Sequence, residues 1–302
     1  MVRHLGQQDE SICVSSRVRL VWELGAQLGE GPVWCQDEQA LWFVDIKGSS
    51  VHRHTPETGT SESFATGGMP SFVVPSTCGI MIVGSGSGIY RLENGATGQQ
   101  IAAIDMPAHN RTNDGTVDVH GRLWFGTMDD DETQETGALY CLDRGRVHEM
   151  PARAIVTNGP AITADGRTLY FVDSVQRRIW RYGVNDGPAI TAAELFVQLG
   201  EADGHPDGVV LDSEDCLWVA LWDGWGVRRY APDGTLLLHV DLPCARVTKI
   251  AFGGSDLRTA FVTTARIGLD DIQLAQQPLA GGLFAFEAQV AGTPSPLFHI
   301  EV

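Results

Sequence analysis

One phrase recurs along the whole chain and constrains its fold more than any other feature. It runs as a polar or small residue, a short apolar strand, a turn with Asp or Gly, a second strand rich in Leu, Trp, Tyr and Val, and a third strand ending in Tyr or Phe. The clearest copies are GPVWCQDEQALWFVDIKGSSVHRH from Gly31, NDGTVDVHGRLWFGTM from Asn113, NGPAITADGRTLYFVDSVQRRIWRY from Asn158 and DGVVLDSEDCLWVALWDGWGVRRY from Asp207. Weaker copies begin at Pro70 and Lys249. Equivalent starts at Glu30, about Met69, Asn113, Asn158, Asp207 and Lys249 are 39 to 49 residues apart, the length of one propeller blade. Six copies predict an all-β, six-bladed propeller; a sandwich array would not repeat at this period through the chain.

Each copy carries three strand signals, with a fourth at Glu62 to Ala65, Gln100 to Ile104, Glu194 to Gln198 and Leu236 to Val240. Alternation within the strands is modest, as expected where both faces of a blade pack on neighbours. Ring closure must remove the last unpaired edge. Residues 19 to 24, ArgLeuValTrpGluLeu, hold the slot before the first copy that residues 195 to 198 hold before the fifth. They are therefore expected to complete the last blade, with PLFHIEV at 296 to 302 competing for the same edge. The domain reading is a mobile tail over 1–17 and a single catalytic propeller over 18–302.

Lys plus Arg number 21 against 38 Asp plus Glu, a formal net charge of −17, which argues against nucleic acid and anionic membrane as partners. The six cysteines form no CxxC pair and no zinc-like spacing with histidine. Scattered thiols, an opening MVRHLGQQDE without a basic-then-apolar pattern, and no apolar run of about 20 residues predict a cytoplasmic protein, monomeric or a small homo-oligomer.

In a propeller, the starts of the innermost strands converge on one mouth of the central channel. That register holds Glu30, about Met69, Asn113, Asn158, Asp207 and Lys249. Four of these carry side-chain oxygens, and no Cys or His is among them, which suits one divalent cation: Ca, Mg or Mn, with Zn and Fe(II) open. Any single AsnGly or AspGly reads equally as a turn, but Glu30 is a poor turn residue and Lys249 is flanked by strand formers. Arg111 and Asn113 alternate along ArgThrAsn and so point to one side of an extended segment; an Arg paired with a surface carboxylate is the plain alternative. Asp129, Asp130 and Asp131 read as an acidic loop at a strand end. No GxSxG elbow, Walker loop or dinucleotide fingerprint is present.

LeuGlyGluGlyProValTrp at 28 to 34, ArgThrAsnAspGly at 111 to 115, AspValHisGlyArgLeuTrpPheGlyThrMet at 118 to 128, ThrAsnGlyPro at 157 to 160, ProAspGly at 206 to 208 and PheGlyGly at 252 to 254 together resemble the regucalcin (senescence marker protein), gluconolactonase and luciferin-regenerating family. ThrThrAlaArg at 263 to 266 and GlnGlnProLeuAlaGlyGly at 276 to 282 are similar to the pentonolactonase type of bacterial sugar lactonase. The resemblance implies that Glu30, Asn158 and Asp207 ligate one divalent metal and that Asp207 is also the general base. It implies that Arg111 and Asn113 bind substrate, and that Asp131 stands where the family has an acidic substrate contact.

The implied activity is metal-dependent hydrolysis of a small-molecule sugar lactone, such as a xylono-, arabino- or gluconolactone. Lys249 is expected to help neutralise charge that develops on the substrate. Three rivals stand beside this reading. A calcium-binding protein would gain nothing from Arg111 and Lys249 beside its ion. A metal-dependent esterase or phosphotriesterase would carry fewer hydrogen-bonding groups around the metal. A protein-interaction propeller would repeat GlyHis and TrpAsp phrases, whereas TrpAsp occurs once, at 222 to 223.

Overall fold

The computed structural model describes residues 18–300; the tail expected over 1–17 lies outside them. Its strands form six four-stranded antiparallel sheets arranged as a β-propeller. The innermost strands of blades 1 to 6 are Gly29–Cys35, Pro70–Pro75, Asn110–Val117, Thr157–Ile162, His205–Leu211 and Val247–Gly253. The forecast outer strands appear as Thr60–Ala65, Ala96–Ala103, Glu194–Gln198 and Leu236–Asp241, within a few residues of their expected bounds. Among the described residues, helix is confined to one short α-helix, Asp271–Gln276, and a 3-10 turn at Glu201–Asp203. No helix among the described residues is long and apolar enough to cross a membrane.

Burial explains why alternation is weak in the sequence. The second strands of blades 1 and 3, Ala40–Asp45 and Leu123–Asp129, are buried at every position, whereas the outer strand Thr60–Ala65 is mostly exposed. The apolar core accordingly lies in layers between blades. Trp218 meets Phe252 and Phe286 between blades 5 and 6, and Trp34 stacks on Phe261 between blades 1 and 6 with centroids 6.0 Å apart.

A polar device repeats in blades 3 and 5. Asp118 and Asp212 each directly follow an innermost strand and accept a hydrogen bond from the indole N–H six residues on, Trp124 at 2.8 Å and Trp218 at 2.9 Å. Each also accepts from an arginine, Arg122 at 2.6 Å and Arg229 at 2.7 Å. Turn, core aromatic and charge are thus fixed by one satisfied carboxylate, which makes burying it tolerable.

Closure follows the N-terminal expectation. Arg19–Trp22 pairs antiparallel with Leu283–Glu287 as the outermost strand of blade 6. Among the described residues, the C-terminal segment does not pair on that edge. It runs across the far mouth of the channel, where Gly292 bridges Asp212 of blade 5, Phe298 bridges Ser76 of blade 2, and the His299 N–H donates to Gly121 of blade 3.

All six innermost strands lose register with their second strand near the site end. The breaks fall between Glu30 and Val33, Pro70 and Phe72, Thr112 and Gly115, Asn158 and Ala161, Pro206 and Val209, and Val247 and Lys249. A bulge re-aims side chains away from strict alternation. Here it falls at the residues that the repeat aligns on the axis.

Candidate active site

A cavity of about 180 Å³ opens where the bulged strands converge, lined among others by Glu30, Asn113, Asn158 and Asp207. Four of the six axial positions expected from the repeat are therefore brought together. Gly208, directly after Asp207, permits the close approach: a β-carbon there would stand 2.5 Å from Lys249 Cγ and 2.7 Å from the Thr248 carbonyl.

Glu30 and Asp207 are buried, and among the described residues neither is within ion-pair distance of a lysine, arginine or histidine. Glu30 Oε2 accepts only a 2.9 Å bond from the Gly31 N–H. Burial first, and then the charge of Asp114, pushes the Glu30 carboxyl up to about 8. Burial, then Glu30 and Asp114, raises Asp207 well above the usual carboxylate range. Two buried carboxyls that resist joint ionisation make an electrostatic deficit that a bound cation would relieve. Asn158 adds a carboxamide, its Nδ2 donating to Ser174 Oγ at 3.0 Å and its Oδ1 accepting from Asn113 Nδ2 at 3.1 Å. Two carboxylates and an amide oxygen, without sulfur or imidazole, are the donor set of a hard divalent ion.

Around these groups runs a hydrogen-bonded chain across three blades. Lys47 of blade 1 donates to Asp130 at 2.7 Å, and Asp130 accepts from Arg111 Nε at 2.6 Å. Arg111 donates in turn to Asn113 Oδ1 at 2.7 Å, and Asn113 to Asn158 of blade 4. Arg111 pairs with a partly exposed carboxylate, the plain alternative raised from the sequence, and it also lines the cavity beside Asn113.

Two residues expected to contact substrate lie outside the lining of this cavity. Asp131 is exposed and does not line the cavity; its neighbour Asp130 takes the Arg111 contact, and Glu132, one residue further, reaches the cavity wall. The tight turn after the strand sends consecutive side chains in different directions, with Glu132 at φ 56. Lys249 points beneath the site instead of into it. Its ammonium donates to Asp114, a buried carboxylate that also accepts from Gly115 N at 2.7 Å and Gly159 N at 3.1 Å. Asp114 is the functional-region residue that sequence reading missed. In a regular strand it would face away from Asn113; the bulge between Thr112 and Gly115 carries both toward the axis.

His205 also lines the cavity. Its Nδ1 donates to the Ser174 carbonyl at 2.9 Å, and Nε2 lies 3.1 Å from Arg177 Nη2, which assigns Nδ1–H and an accepting Nε2.

The sequence profile of the SMP-30/gluconolactonase/LRE-like region matches residues 28–266. The chain belongs to this family. Within the SMP-30/gluconolactonase family it is 35% identical to a 6-deoxy-6-sulfogluconolactonase of Pseudomonas putida, over 90% of this chain and 94% of that one. It is equally 35% identical to a pentonolactonase of Haloferax volcanii, over 94% and 98% of the two chains. The crystal structure of a calcium-binding protein, regucalcin, from Agrobacterium tumefaciens superposes with a TM-score of 0.89 at 28% identity, covering 94% of this chain and 97% of that one. Members of one family are thus named both as lactonases and as a calcium-binding protein. The cavity chemistry has to decide between them for this chain.

Proposed function

We propose that the protein hydrolyses a sugar lactone to the aldonic acid with the aid of one divalent cation held by Glu30, Asn158 and Asp207. The observation that carries this reading is the cavity itself. It pairs two carboxyls that lack a cationic partner among the described residues with walls made by Leu28, Met128, Val156, Arg111, Asn113 and Glu132, and it has room for a small organic molecule beside an ion. A site for calcium alone has no use for such walls. The positive charges of Arg111 and Lys249 do not make this distinction, because Asp130 and Asp114 neutralise them within the protein. The names of the lactonase relatives support the same reading.

In this mechanism the residues divide the work. A bound divalent ion supplies Lewis-acid polarisation of a carbonyl. Asp207 accepts the proton of the attacking water and returns it to the ring oxygen as the carbon–oxygen bond of the lactone breaks. Arg111 and Asn113, held rigid by Asp130 and Asn158, orient the substrate hydroxyls. A substrate lacking those hydroxyls leaves polar groups unpaired and is rejected.

A proton-release assay with aldonolactones tests this directly. Chelation is expected to abolish hydrolysis and readdition of a divalent ion to restore it, while Asp207→Asn lowers kcat/KM by about 10²–10⁴-fold. Full activity in excess chelator would contradict the reading.

A further inference from the structure

The cavity sets hydrogen-bonding groups beside an indole. Blade 3 supplies Arg111, Asn113, Met128 and Glu132, and blade 5 supplies His205, Pro206, Asp207 and Trp222. Trp222 ends the second strand of blade 5, directly across the ladder from His205, so the sheet fixes its backbone at the site mouth. The indole is fixed as well. The Arg246 guanidinium lies over its ring, 4.9 Å from the centroid, and Arg246 is itself held by Asp223 at 3.2 Å and by the Ile267 carbonyl. Asp223 and Trp225, both at positive φ, close a tight turn immediately after Trp222. The guanidinium clamp therefore ties the rim of blade 5 to the 264–268 loop of blade 6 and occupies one face of the indole.

We infer that the other face of Trp222 is the platform for the carbon–hydrogen face of the sugar ring, which makes Trp222 a specificity-determining residue of this site. The inference rests on the lactonase reading and deepens it. A cyclic polyol presents hydroxyls at its edge and apolar C–H patches above and below. The hydrogen-bonding groups of Arg111 and Asn113 together with the flat indole of Trp222 are complementary to that division. Because Arg246 already immobilises the indole, little side-chain freedom remains to be lost when the ring docks. An acyl ester without a ring would fill the same space but gain less from a flat surface.

Trp222→Leu and Trp222→Phe separate this role from a structural one. For an aldonolactone, Trp222→Leu is expected to raise KM about tenfold with kcat within about twofold, since stacking acts on bound substrate and transition state alike; Trp222→Phe recovers most of the loss. The melting temperature and the dependence on divalent ion stay as in the wild type. Unchanged KM in Trp222→Leu overturns the inference, and so does an equal loss of kcat on every lactone together with a lowered melting temperature.

Saturation-transfer NMR with 1,5-anhydroglucitol, a cyclic polyol that cannot be hydrolysed, reads the contact without turnover. The ring C–H protons are expected to saturate in the wild type and to lose most of that signal in Trp222→Leu. Equal saturation in both overturns the platform. Wild-type protein that hydrolyses no lactone defeats the lactonase reading, while the NMR comparison still decides on Trp222.

Discussion

The pair formed by Lys249 and Asp114 shows what single residues on the axis of a propeller must satisfy. Both side chains are buried, and they join blade 6 to blade 3 beneath the proposed metal ligands. A buried ion pair is costly to break from one side, because the remaining charge is left without a partner. Lys249→Met and Asp114→Asn are each expected to destabilise the protein by about 3–5 kcal/mol, and the double substitution by clearly less than the sum. Urea unfolding of the four proteins measures this coupling; strictly additive losses would remove the pair from the account. The sequence set a lysine among strand formers on the axis and offered charge on the substrate as its counterpart. It did not point to Asp114, because alternation assigns that residue to the opposite face from Asn113, and only the bulge between Thr112 and Gly115 reverses that assignment. Asp131 was misplaced for a related reason. Three consecutive aspartates leave a strand end, and the backbone turn, which composition does not encode, decides that Asp130 meets Arg111.

At the scale of elements, the junction between the closing strand and blade 1 carries a pH dependence. His52, in the third strand of blade 1, packs 5.5 Å from Trp22 of the closing strand and 4.9 Å from Phe43. Burial lowers its imidazole to about 4 against the weaker opposing pull of Asp45. Above pH 6.5 the ring is neutral in folded and unfolded chains alike, so it adds no pH dependence. As pH falls from 6.5 toward 4, the unfolded chain takes up a proton that the folded chain resists, and stability drops by an amount on the order of 3 kcal/mol. His52→Phe is expected to flatten the acid side of the curve of melting temperature against pH. A curve unchanged by that substitution would assign the acid sensitivity elsewhere. The blades themselves were legible because turn and aromatic signals recur with the repeat, and the outer strands were placed within a few residues. Exact strand ends were not, since the fourth strands are mostly exposed and carry little patterned apolar signal.

For the whole molecule, closure is the property on which the site depends, because residues from blades 1, 3, 4 and 5 line one cavity only if the ring is complete. Removing residues 1–22 takes away the strand that pairs with Leu283–Glu287 and opens an unpaired edge. The expected result is a melting temperature lower by about 10 °C or more and a tendency to associate; an unchanged melting temperature would mean that closure contributes little. The period of the repeat made the ring readable from the chain alone, and the slot held by residues 19 to 24 pointed to N-terminal closure while leaving residues 296 to 302 in competition for the same edge. The course of the C-terminal segment was not readable, because a strap across the far mouth is held by isolated bridges at Gly292 and Phe298, with no strand pattern to announce it.

The proposed chemistry requires that side chains from blades 1, 4 and 5 share one ion. An anomalous-difference map from crystals of the active protein soaked in manganese tests it most directly. A single strong peak per chain is expected on the channel axis, within bonding distance of an oxygen from each of Glu30, Asn158 and Asp207. A peak elsewhere, or none at that position in crystals whose dissolved protein still hydrolyses lactone, would contradict it.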